Sequence, residues 1–452
     1  MRLVLAFLLF LIVRPAFAGE MLVLSDIHFN PLADKTLVDR LAAAPAEQWA
    51  TLLDTGTQRM STYGSDTNWA LLRASLAAMK VQPKPDLVLI PGDFVVHRFR
   101  ALFEAEAGDH SAAALRRFTA ETIRFVGLQL KAAFPATPIL TVLGNNDSTC
   151  GDYEERPGGQ FLADTAGLAA ELAGPTAGDE FLASWRALGN YVLPNPAAPN
   201  HMIVALNTNF FSPHYKNNCG GAGDVNPAEA TLAWLERTLA TTEAQHRTIW
   251  LAYHVPPGAD AFATARHDIC TAPPVPMFVE PYAARFHALM LRYHATVAAS
   301  FAGHTHMDGF RLLSEGGQPF GFVMMNPALS PIFGQNPAFR RVTVNGDATI
   351  TDQTVSYLAN LPDAVGGAVP QWQQEADFAT AWHLKRFDLA NLEQLYRRLG
   401  HSAADRSRYF DQYAVQGPAR NDIATANAAV YRCTAGGDLL AEVAHCICAG
   451  GN

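Results

Sequence analysis

The sequence predicts an α/β fold, because segments typical of buried strands alternate with segments typical of amphipathic helices. Six short apolar runs each break into Asp, Asn, His or Gly at the carboxyl end, at residues 21–26, 86–93, 137–147, 201–209, 247–254 and 296–306. Helical periodicity separates them, at 67–80, 111–134, 226–245 and 281–294. This alternation is typical of a sheet covered by helices. Ligands of such sheets gather beyond the carboxyl ends of the strands, where these polar residues lie.

Composition and charge narrow the function. The chain has 452 residues, of which 49% are hydrophobic and 17% charged, so it can bury a large core. Its formal net charge is -9, and no basic patch is evident, so we expect no binding of duplex nucleic acid. An acidic protein that acts on phosphates must supply positive charge locally, and bound cations can do so.

The first eighteen residues are typical of a secretory signal peptide. Arg2 precedes an apolar run from Leu3 to Val13, and Ala16 to Ala18 fit a small-x-small cleavage site. A membrane anchor is the alternative, but the run is too short to span a bilayer comfortably. We expect residues 1–18 to be removed and the protein to be exported, periplasmic or secreted, with no transmembrane segment after cleavage.

The cysteine count agrees with export. An even number of cysteines in an exported chain is compatible with disulfides, although six allow fifteen pairings and the sequence selects none. None lies at a zinc-knuckle spacing, so we expect them to be structural; they are Cys150, Cys219, Cys270, Cys433, Cys446 and Cys448.

The character of the chain changes near residue 355. A stretch rich in Pro, Gly and Ala, "NLPDAVGGAVP", precedes segments of helical pattern, "WQQEADFATAWHLKRFDLANLEQLYRRLG" and "AADRSRYFDQYAV". We therefore expect a catalytic domain over residues 19–355 and a helical carboxyl-terminal subdomain over residues 356–452.

The strand ends together carry a set of metal-binding side chains. Two carboxylates, one carboxamide and four imidazoles suit borderline divalent ions such as zinc, manganese or iron. Seven ligands are too many for one tetrahedral zinc ion but suit two metals that share a carboxylate. Gly-His-x-His at residues 303–306 is the most specific block, expected about 0.04 times by chance in a chain with 33 Gly and 15 His. The set is Asp26, His28, Asp93, Asn145, His254, His304 and His306.

The ordered blocks Asp-x-His, Gly-Asp, Gly-Asn-x-Asp, His and Gly-His-x-His resemble those of the calcineurin-like metallophosphoesterases. The segments "GDFVVH", "ALNTNFF" and "GHTHMD", with the helical tail and its cysteines, are similar to the acid sphingomyelinase-like phosphodiesterases. The resemblance covers nearly all of the mature chain. It implies a β-sandwich of two mixed sheets flanked by helices, followed by a helical carboxyl-terminal subdomain.

The resemblance also implies the metal ligands and the reaction. One metal would be held by Asp26, His28, Asp93 and His306, and the other by Asp93, Asn145, His254 and His304. Two divalent ions, zinc or else manganese or iron, would lie about 3.5–4 Å apart, with Asp93 bridging them. A metal-bridging hydroxide would attack the phosphorus of a phosphodiester or pyrophosphate. The expected substrates are small phosphodiesters, nucleotides or phosphocholine-type esters.

Two further residues are predicted to be catalytic. Relatives in the family have histidine where this chain has Asn146, and an amide can bind a phosphate oxygen but cannot transfer a proton near neutral pH. His97 matches the second active-site histidine of the sphingomyelinase-like group and is expected to be the general acid. Four residues complete the predicted site: Asn207 and Asn209 as substrate contacts, and Asp147 and Asp308 as partners of the ligand histidines.

Several alternatives stay open. Singly, Asp26, Asp93 and Asn145 fit helix caps or turns as well as ligands. A purple acid phosphatase is rejected, since its tyrosine ligand would stand at Val96. Loss of the histidine at Asn146 also allows a metal-retaining binding protein with little turnover. A secreted phosphomonoesterase is the third alternative. The sequence selects neither the physiological substrate, the metal, the pH optimum nor the oligomeric state.

Overall fold

The computed structural model describes residues 18–217, 219, 226–268, 270–424 and 427–449. The predicted signal peptide lies outside these residues, apart from residue 18, at which the first strand begins. Twelve strands form in the described chain: β1 (Ala18–Val23), β2 (Leu87–Ile90), β3 (Ile139–Thr141), β4 (Tyr191–Pro194), β5 (Met202–Leu206), β6 (Ile249–Tyr253), β7 (Val297–Ala302), β8 (Gly309–Glu315), β9 (Gln318–Met325), β10 (Ala338–Asn345), β11 (Ile350–Leu358) and β12 (Trp372–Gln374).

The strands make two mixed sheets of six strands each, in agreement with the predicted fold. The first has the order β12-β11-β10-β1-β2-β3 and the second β4-β5-β6-β7-β9-β8. Strands β1, β2 and β3 are parallel to one another, and so are β5, β6, β7 and β9. The remaining pairs, at the sheet edges and along β10, are antiparallel.

The two sheets pack face to face over one apolar core. Strand β6 contributes Trp250, which is fully buried and lies 5.2 Å from the ring of Phe301 on β7. Its indole nitrogen donates to the carbonyl oxygen of Ala348, in the turn between β10 and β11 of the opposite sheet, at 3.1 Å. Because a buried indole N–H needs an acceptor, this bond fixes one sheet against the other.

Helices cover the outer faces. In the described chain they are α1 (Val38–Ala43), α2 (Trp49–Leu53), α3 (Trp69–Lys80), α4 (Phe99–Glu106), α5 (Ala112–Ala133), α6 (Gln160–Ala173), α7 (Asp179–Leu188), α8 (Pro227–Ala244), α9 (Ala261–Thr264), α10 (Tyr282–Arg292), α11 (Leu361–Val365), α12 (Phe378–Trp382), α13 (Leu389–His401), α14 (Ala403–Tyr413), α15 (Arg420–Ala424), α16 (Ala428–Ala435) and α17 (Leu440–Cys448). Local capping explains where the long helices begin. The side chains of Asn68, Ser111 and Asn226 accept backbone N–H bonds at the starts of α3, α5 and α8.

The predicted elements are confirmed where the sequence pattern is strong. The predicted strand at 21–26 overlaps β1, the other five contain β2, β3, β5, β6 and β7, and the four predicted helices correspond to α3, α5, α8 and α10. One helical expectation is wrong: Trp372–Gln374 form β12, which pairs with β11. The first sheet therefore continues beyond the predicted domain boundary at residue 355, which falls inside β11.

Helix α13 packs against β8 and β9 and helix α16 against β8, at the edge of the second sheet, and α14, α15 and α17 pack on these helices and on one another. Disulfides hold this region and the loops near it. Cys433–Cys446 joins α16 to α17, Cys270–Cys448 ties α17 to a loop of the main body, and Cys150–Cys219 joins two loops of the main body. Among the described residues, no helix combines the length and apolarity needed to cross a bilayer.

Candidate metal centre

All seven side chains predicted as metal ligands lie together where the carboxyl ends of the parallel strands of both sheets meet. Asp26 and His28 follow β1, Asp93 follows β2 and Asn145 follows β3. His254 follows β6 of the second sheet, while His304 and His306 follow β7. Residues 280 positions apart in the sequence thus become neighbours because both sheets present the same end of their parallel strands.

Asp93 lies at the centre of the set. Its Oδ2 atom is 3.3 Å from Nε2 of His28 and 3.2 Å from Nε2 of His254. On the His28 side, Nε2 of His306 lies 3.1 Å from Nε2 of His28 and 3.5 Å from Oδ1 of Asp26. One carboxylate oxygen therefore stands between two groups of donor atoms.

Asn145 occupies the corresponding place on the His254 side. Its Oδ1 atom lies 2.8 Å from Nε2 of His254 and 2.9 Å from Nδ1 of His304. Its amide nitrogen donates to Asp152 at 2.5 Å, which turns the carbonyl oxygen towards the two imidazoles. The second group is therefore Asn145, His254 and His304, with Asp93 shared.

The hydrogen bonds of the imidazoles show that the set fits metal ions. Nδ1 of His28 contacts the carbonyl oxygen of Val95 at 2.9 Å, and Nδ1 of His254 contacts that of Pro91 at 2.7 Å. Only a protonated nitrogen can donate to a carbonyl, so Nε2 of each neutral ring carries a lone pair. These lone pairs face the oxygens of Asp93 and Asn145, which are acceptors as well. A cation between the ring nitrogens and the oxygens would remove this repulsion between lone pairs. In metal sites, the ring nitrogen that does not face the metal usually donates to a carbonyl oxygen or a carboxylate.

The pKa values of His28, His304 and Asp93 agree with metal ligation, whereas burial raises the pKa of Asp26 to about 7. Burial lowers the pKa of His28 to about 4, with His97 adding to the effect, and burial beside His254 lowers that of His304 to about 3. Burial also opposes ionisation of Asp93, but His254 and His28 hold its pKa well below the usual value. His254 is the exception, because Asp93 outweighs burial and raises its pKa to about 9. Metal ligation requires neutral imidazoles around an ionised carboxylate, so a metal that binds here would displace a proton from His254.

The backbone at the ligands is held in a conformation that side-chain-bearing residues rarely adopt. Five of the seven predicted ligands have positive φ, and such strain usually persists only where the surrounding structure enforces it. The residues and angles are Asp26 (48°), His28 (42°), Asp93 (60°), His304 (70°) and His306 (62°). This backbone conformation allows side chains that are close in sequence, such as those of Asp26 and His28, to point towards the same place.

Two glycines make the close approach of these loops possible. Gly92 has φ of 97°, and a Cβ there would lie 2.7 Å from both the Gly144 nitrogen and Nδ1 of His254. A Cβ on Gly144 would lie 2.0 Å from Oδ1 of Asp93. The glycines in the Gly-Asp and Gly-Asn blocks are therefore required by packing around Asp93.

Asp147 supports the centre through the backbone. Its carboxylate accepts from the backbone nitrogens of Asp93 at 3.0 Å, Phe94 at 2.7 Å and Gly144 at 2.9 Å. It thus holds the β2 and β3 loops together, whereas the sequence predicted a contact with a ligand histidine. Asp308 forms a buried ion pair with Arg340 and accepts no bond from a ligand histidine among the described contacts.

The two residues predicted to be catalytic both lie beside the predicted metal ligands. The backbone nitrogen of Asn146 donates to Oδ1 of Asp93 at 2.8 Å, and its amide nitrogen donates to Oδ2 at 3.0 Å. The ring of His97 stacks on that of His28, with centroids 3.9 Å apart and an interplanar angle of 20°. The His97 side chain is 25% exposed, so it lies at the open side of the centre.

Sequence reasoning missed the partner of His97. Oδ1 of Asp66 lies 3.0 Å from Nδ1 of His97, and Asp66 also accepts from the His97 backbone nitrogen at 3.1 Å and from Ser330 at 2.8 Å. Burial lowers the pKa of His97, but the hydrogen bond and charge of Asp66 outweigh it and raise that pKa overall. The only sequence signal was an aspartate just before the cap of α3.

Asn207 and Asn209 lie behind the metal loops. Both are buried, and their amide nitrogens donate to the carboxylate of Glu155, at 2.8 Å and 3.4 Å. Asn209 also donates to the carbonyl oxygen of Gly144 at 2.9 Å. Burial raises the pKa of Glu155 to about 7. The structure thus places these asparagines where they support the β3 loop, and their predicted contact with substrate stays a prediction.

Comparison with known proteins agrees with the geometry. The family model described as calcineurin-like phosphoesterase matches residues 20–308. The chain is 27% identical to acid sphingomyelinase-like phosphodiesterase 3b of Mus musculus over 403 residues, covering 86% of this chain and 81% of that protein. It is 26% identical to the Homo sapiens protein of the same name, covering 87% and 82%. It is also 27% identical to cyclic GMP-AMP phosphodiesterase SMPDL3A of Mus musculus over 290 residues, covering 62% of this chain and 60% of that protein.

Proposed function

The chain belongs to the calcineurin-like phosphoesterase family, and from that premise we propose that it is an exported, dinuclear-metal phosphodiesterase of the acid sphingomyelinase-like kind. The proposed substrates are small phosphodiesters, nucleotides or phosphocholine-type esters. Relatives named phosphodiesterases and sphingomyelinases support the reaction class. Three disulfides support export, because such bonds persist in oxidising compartments.

One observation carries the proposal: a single oxygen of Asp93 lies 3.3 Å and 3.2 Å from imidazole nitrogens of two separate ligand groups. Asp26, His28 and His306 would hold one divalent ion with Asp93, and Asn145, His254 and His304 would hold the other. Such a pair supplies Lewis acidity that activates water and neutralises charge on the phosphate. The donor set suits zinc, with manganese or iron as alternatives.

The remaining residues have roles that follow from their contacts. Asp147 fixes the backbone on which Asp93 and Gly144 stand. Asn146 donates to Asp93 and holds the shared carboxylate in place, from where its amide is within reach of a phosphate oxygen. His97 is the proposed general acid: Asp66 occupies its Nδ1, which leaves Nε2 to protonate the leaving oxygen.

The proposal is tested with the purified full chain. Metal analysis is expected to give two divalent ions per chain. Hydrolysis of bis(p-nitrophenyl) phosphate should be lost on chelation and restored by zinc. Asp93→Asn should abolish turnover, because it removes the negative charge shared by both ions. Leu291→Ala, an exposed position on α10, is the control and should keep full activity.

The same assay separates the two alternatives. Two bound metals without hydrolysis at any pH would favour a binding protein. Faster hydrolysis of p-nitrophenyl phosphate than of the diester would indicate a phosphomonoesterase. The binding-protein alternative rests on Asn146, which occupies the position of a histidine in the family.

A further inference from the structure

A cavity of ≈ 180 Å³ adjoins the metal centre and is walled partly by the carboxyl-terminal helices. His304 and Thr305 of the metal loop form one side. Tyr409 and Tyr413 of α14 and Tyr431 of α16 form another. We name this cavity the arm pocket, where "arm" means one of the two ester groups of a phosphodiester. The carboxyl-terminal helices therefore contribute directly to the space beside the metal ligands.

Two exposed phenylalanines lie at the junction of the arm pocket and the metal centre. Phe262 and Phe333 are 43% and 39% exposed, and their ring centroids are 5.6 Å apart. The Phe333 ring is 4.7 Å from the ring of His306 in an edge-on arrangement. An exposed aromatic pair beside a cleft is typical of a ligand-binding surface. A group attached to a phosphate at the metal centre would meet these rings first.

The charged residues of the arm pocket are already engaged. The guanidinium of Arg311 donates to the carbonyl oxygens of Thr434 at 3.0 Å and Ala259 at 2.7 Å, and to that of Pro257. The Asp260 carboxylate accepts from the backbone at the start of α9, at 2.9 Å. The arm pocket therefore favours an uncharged occupant over a second phosphate or a cation.

The remaining walls suit an apolar ring with one polar atom. Phenylalanines, tyrosines and methionines predominate among the lining residues, which include Met277, Met307 and Phe310. Tyr409 is buried, and its hydroxyl has no hydrogen-bond partner among the described residues; the same is true of the hydroxyl of Thr305. An unpartnered buried hydroxyl is costly, and a polar atom of a ligand would satisfy it. An apolar cavity of about 150 Å³ is known to hold benzene, so this volume suits a substituted six-membered ring.

We propose that the arm pocket selects phosphodiesters in which one ester arm is an uncharged, phenyl-sized group. This inference rests on the proposed function, since the phosphate of that diester lies at the metal centre. The group lies against Phe262, Phe333 and the three tyrosines. The carboxyl-terminal helices are then part of substrate selection.

The test uses zinc-loaded full chain and three diesters with the same p-nitrophenolate leaving group. Their other arms are phenyl, methyl and choline. After correction for the uncatalysed rates, kcat/KM for the phenyl diester should exceed that for the methyl diester by about tenfold or more, the range that a fitted apolar pocket provides. Equal values within about twofold, or a preference for the choline arm, would overturn the proposal.

Two variants connect the preference to the arm pocket. Phe262→Ala removes an exposed side chain from the wall of the arm pocket, and Ala435→Leu fills its interior. Each variant should lower the ratio of kcat/KM for the phenyl diester to that for the methyl diester by at least about fivefold. Leu291→Ala, with similar exposure on α10, should leave the ratio unchanged. Equal loss on both diesters in both variants would contradict the assignment.

A binding measurement that requires no turnover tests the arm pocket independently of the proposed function. Calorimetry should give tighter binding of phenylphosphonate than of methylphosphonate to the zinc-loaded chain, by about tenfold, and Ala435→Leu should remove the difference. If no diester is hydrolysed but this difference is found, the proposed function fails and the arm pocket stands. Equal affinities for the two phosphonates would refute the arm pocket whatever the enzyme does.

Discussion

Replacing His97 by glutamine should slow hydrolysis of diesters with poor leaving groups far more than hydrolysis of nitrophenyl diesters. His97 stacks on His28, and a ring nitrogen of His97 lies within 4.8 Å of ring nitrogens of His28 and His306. The proposal gives His97 no metal to hold, so the variant should keep both ions. A nitrophenolate leaves without protonation, whereas an alkoxide needs a proton in the transition state. The comparison of leaving groups therefore isolates proton donation from metal-assisted attack.

The expected magnitude follows from the contacts of His97. General acid catalysis by a positioned side chain contributes about 10²- to 10⁴-fold, so His97→Gln should lower kcat/KM for a dialkyl diester such as glycerophosphocholine by that factor. The loss on bis(p-nitrophenyl) phosphate should stay below about tenfold. Asp66→Asn replaces a charge-assisted bond of 3.0 Å by a neutral one. Since a charge-assisted bond is roughly twice as strong as a neutral one, a difference of about 1 kcal/mol, the variant should cost about fivefold on the dialkyl diester.

The effect of Asp66 on the pKa of His97 predicts the direction in which the pH–rate profile shifts. Asp66 raises the pKa of His97, so the acid form persists to higher pH in the wild type. Asp66→Asn should therefore shift the basic limb of the pH–rate profile to lower pH, while Leu291→Ala should not. Metal content must stay at two ions per chain in every variant. Equal losses on both leaving groups, or a loss no larger than that of Asn146→Ala, would refute proton donation by His97.

Three further predictions concern packing and stability. Gly144→Ala places a Cβ 2.0 Å from Oδ1 of Asp93, so it should cost about 1–3 kcal/mol and reduce bound metal, as measured by thermal melts and metal analysis. Gly167→Ala, inside α6 with open space around it, should raise stability by about 0.5–1 kcal/mol, and destabilisation there would contradict the packing argument. His287 pairs with Asp438 at 2.7 Å, which raises its pKa above 6.5; the stabilisation is therefore complete below pH 6.5 and is lost as pH rises through the raised pKa. Asp438→Asn should cost about 1 kcal/mol at pH 6 and less at pH 9 in chemical unfolding, and a larger cost at pH 9 would refute this.

The sequence predicted the strands that carry the site because their signal is local. Each of the six predicted strands is an apolar run that ends in a polar block, and period and composition suffice to recognise it. The strands from β8 to β12 lie after the last metal block, where no such polar ending marks them. β12 in particular follows a proline and is part of a segment with helical composition, and only its pairing with β11 makes it a strand.

The proximity of the seven predicted ligands was predictable for the same reason, whereas the residues that support them were not. Asp66 contacts His97 across 31 positions, and its neighbours in the sequence give no sign of this bond. Asp308 was expected beside the ligand histidines because it follows them closely, but it turns to the buried Arg340. Such partners are selected by tertiary packing, which spacing along the chain does not report.

The position of the metals tests the account most directly. Crystals of the zinc-loaded full chain should show two anomalous peaks about 3.5–4 Å apart, one on each side of the Asp93 carboxylate. His28 and His306 should ligate one ion, and Asn145 and His254 the other. A single peak, or two peaks that do not share Asp93, would contradict the dinuclear centre.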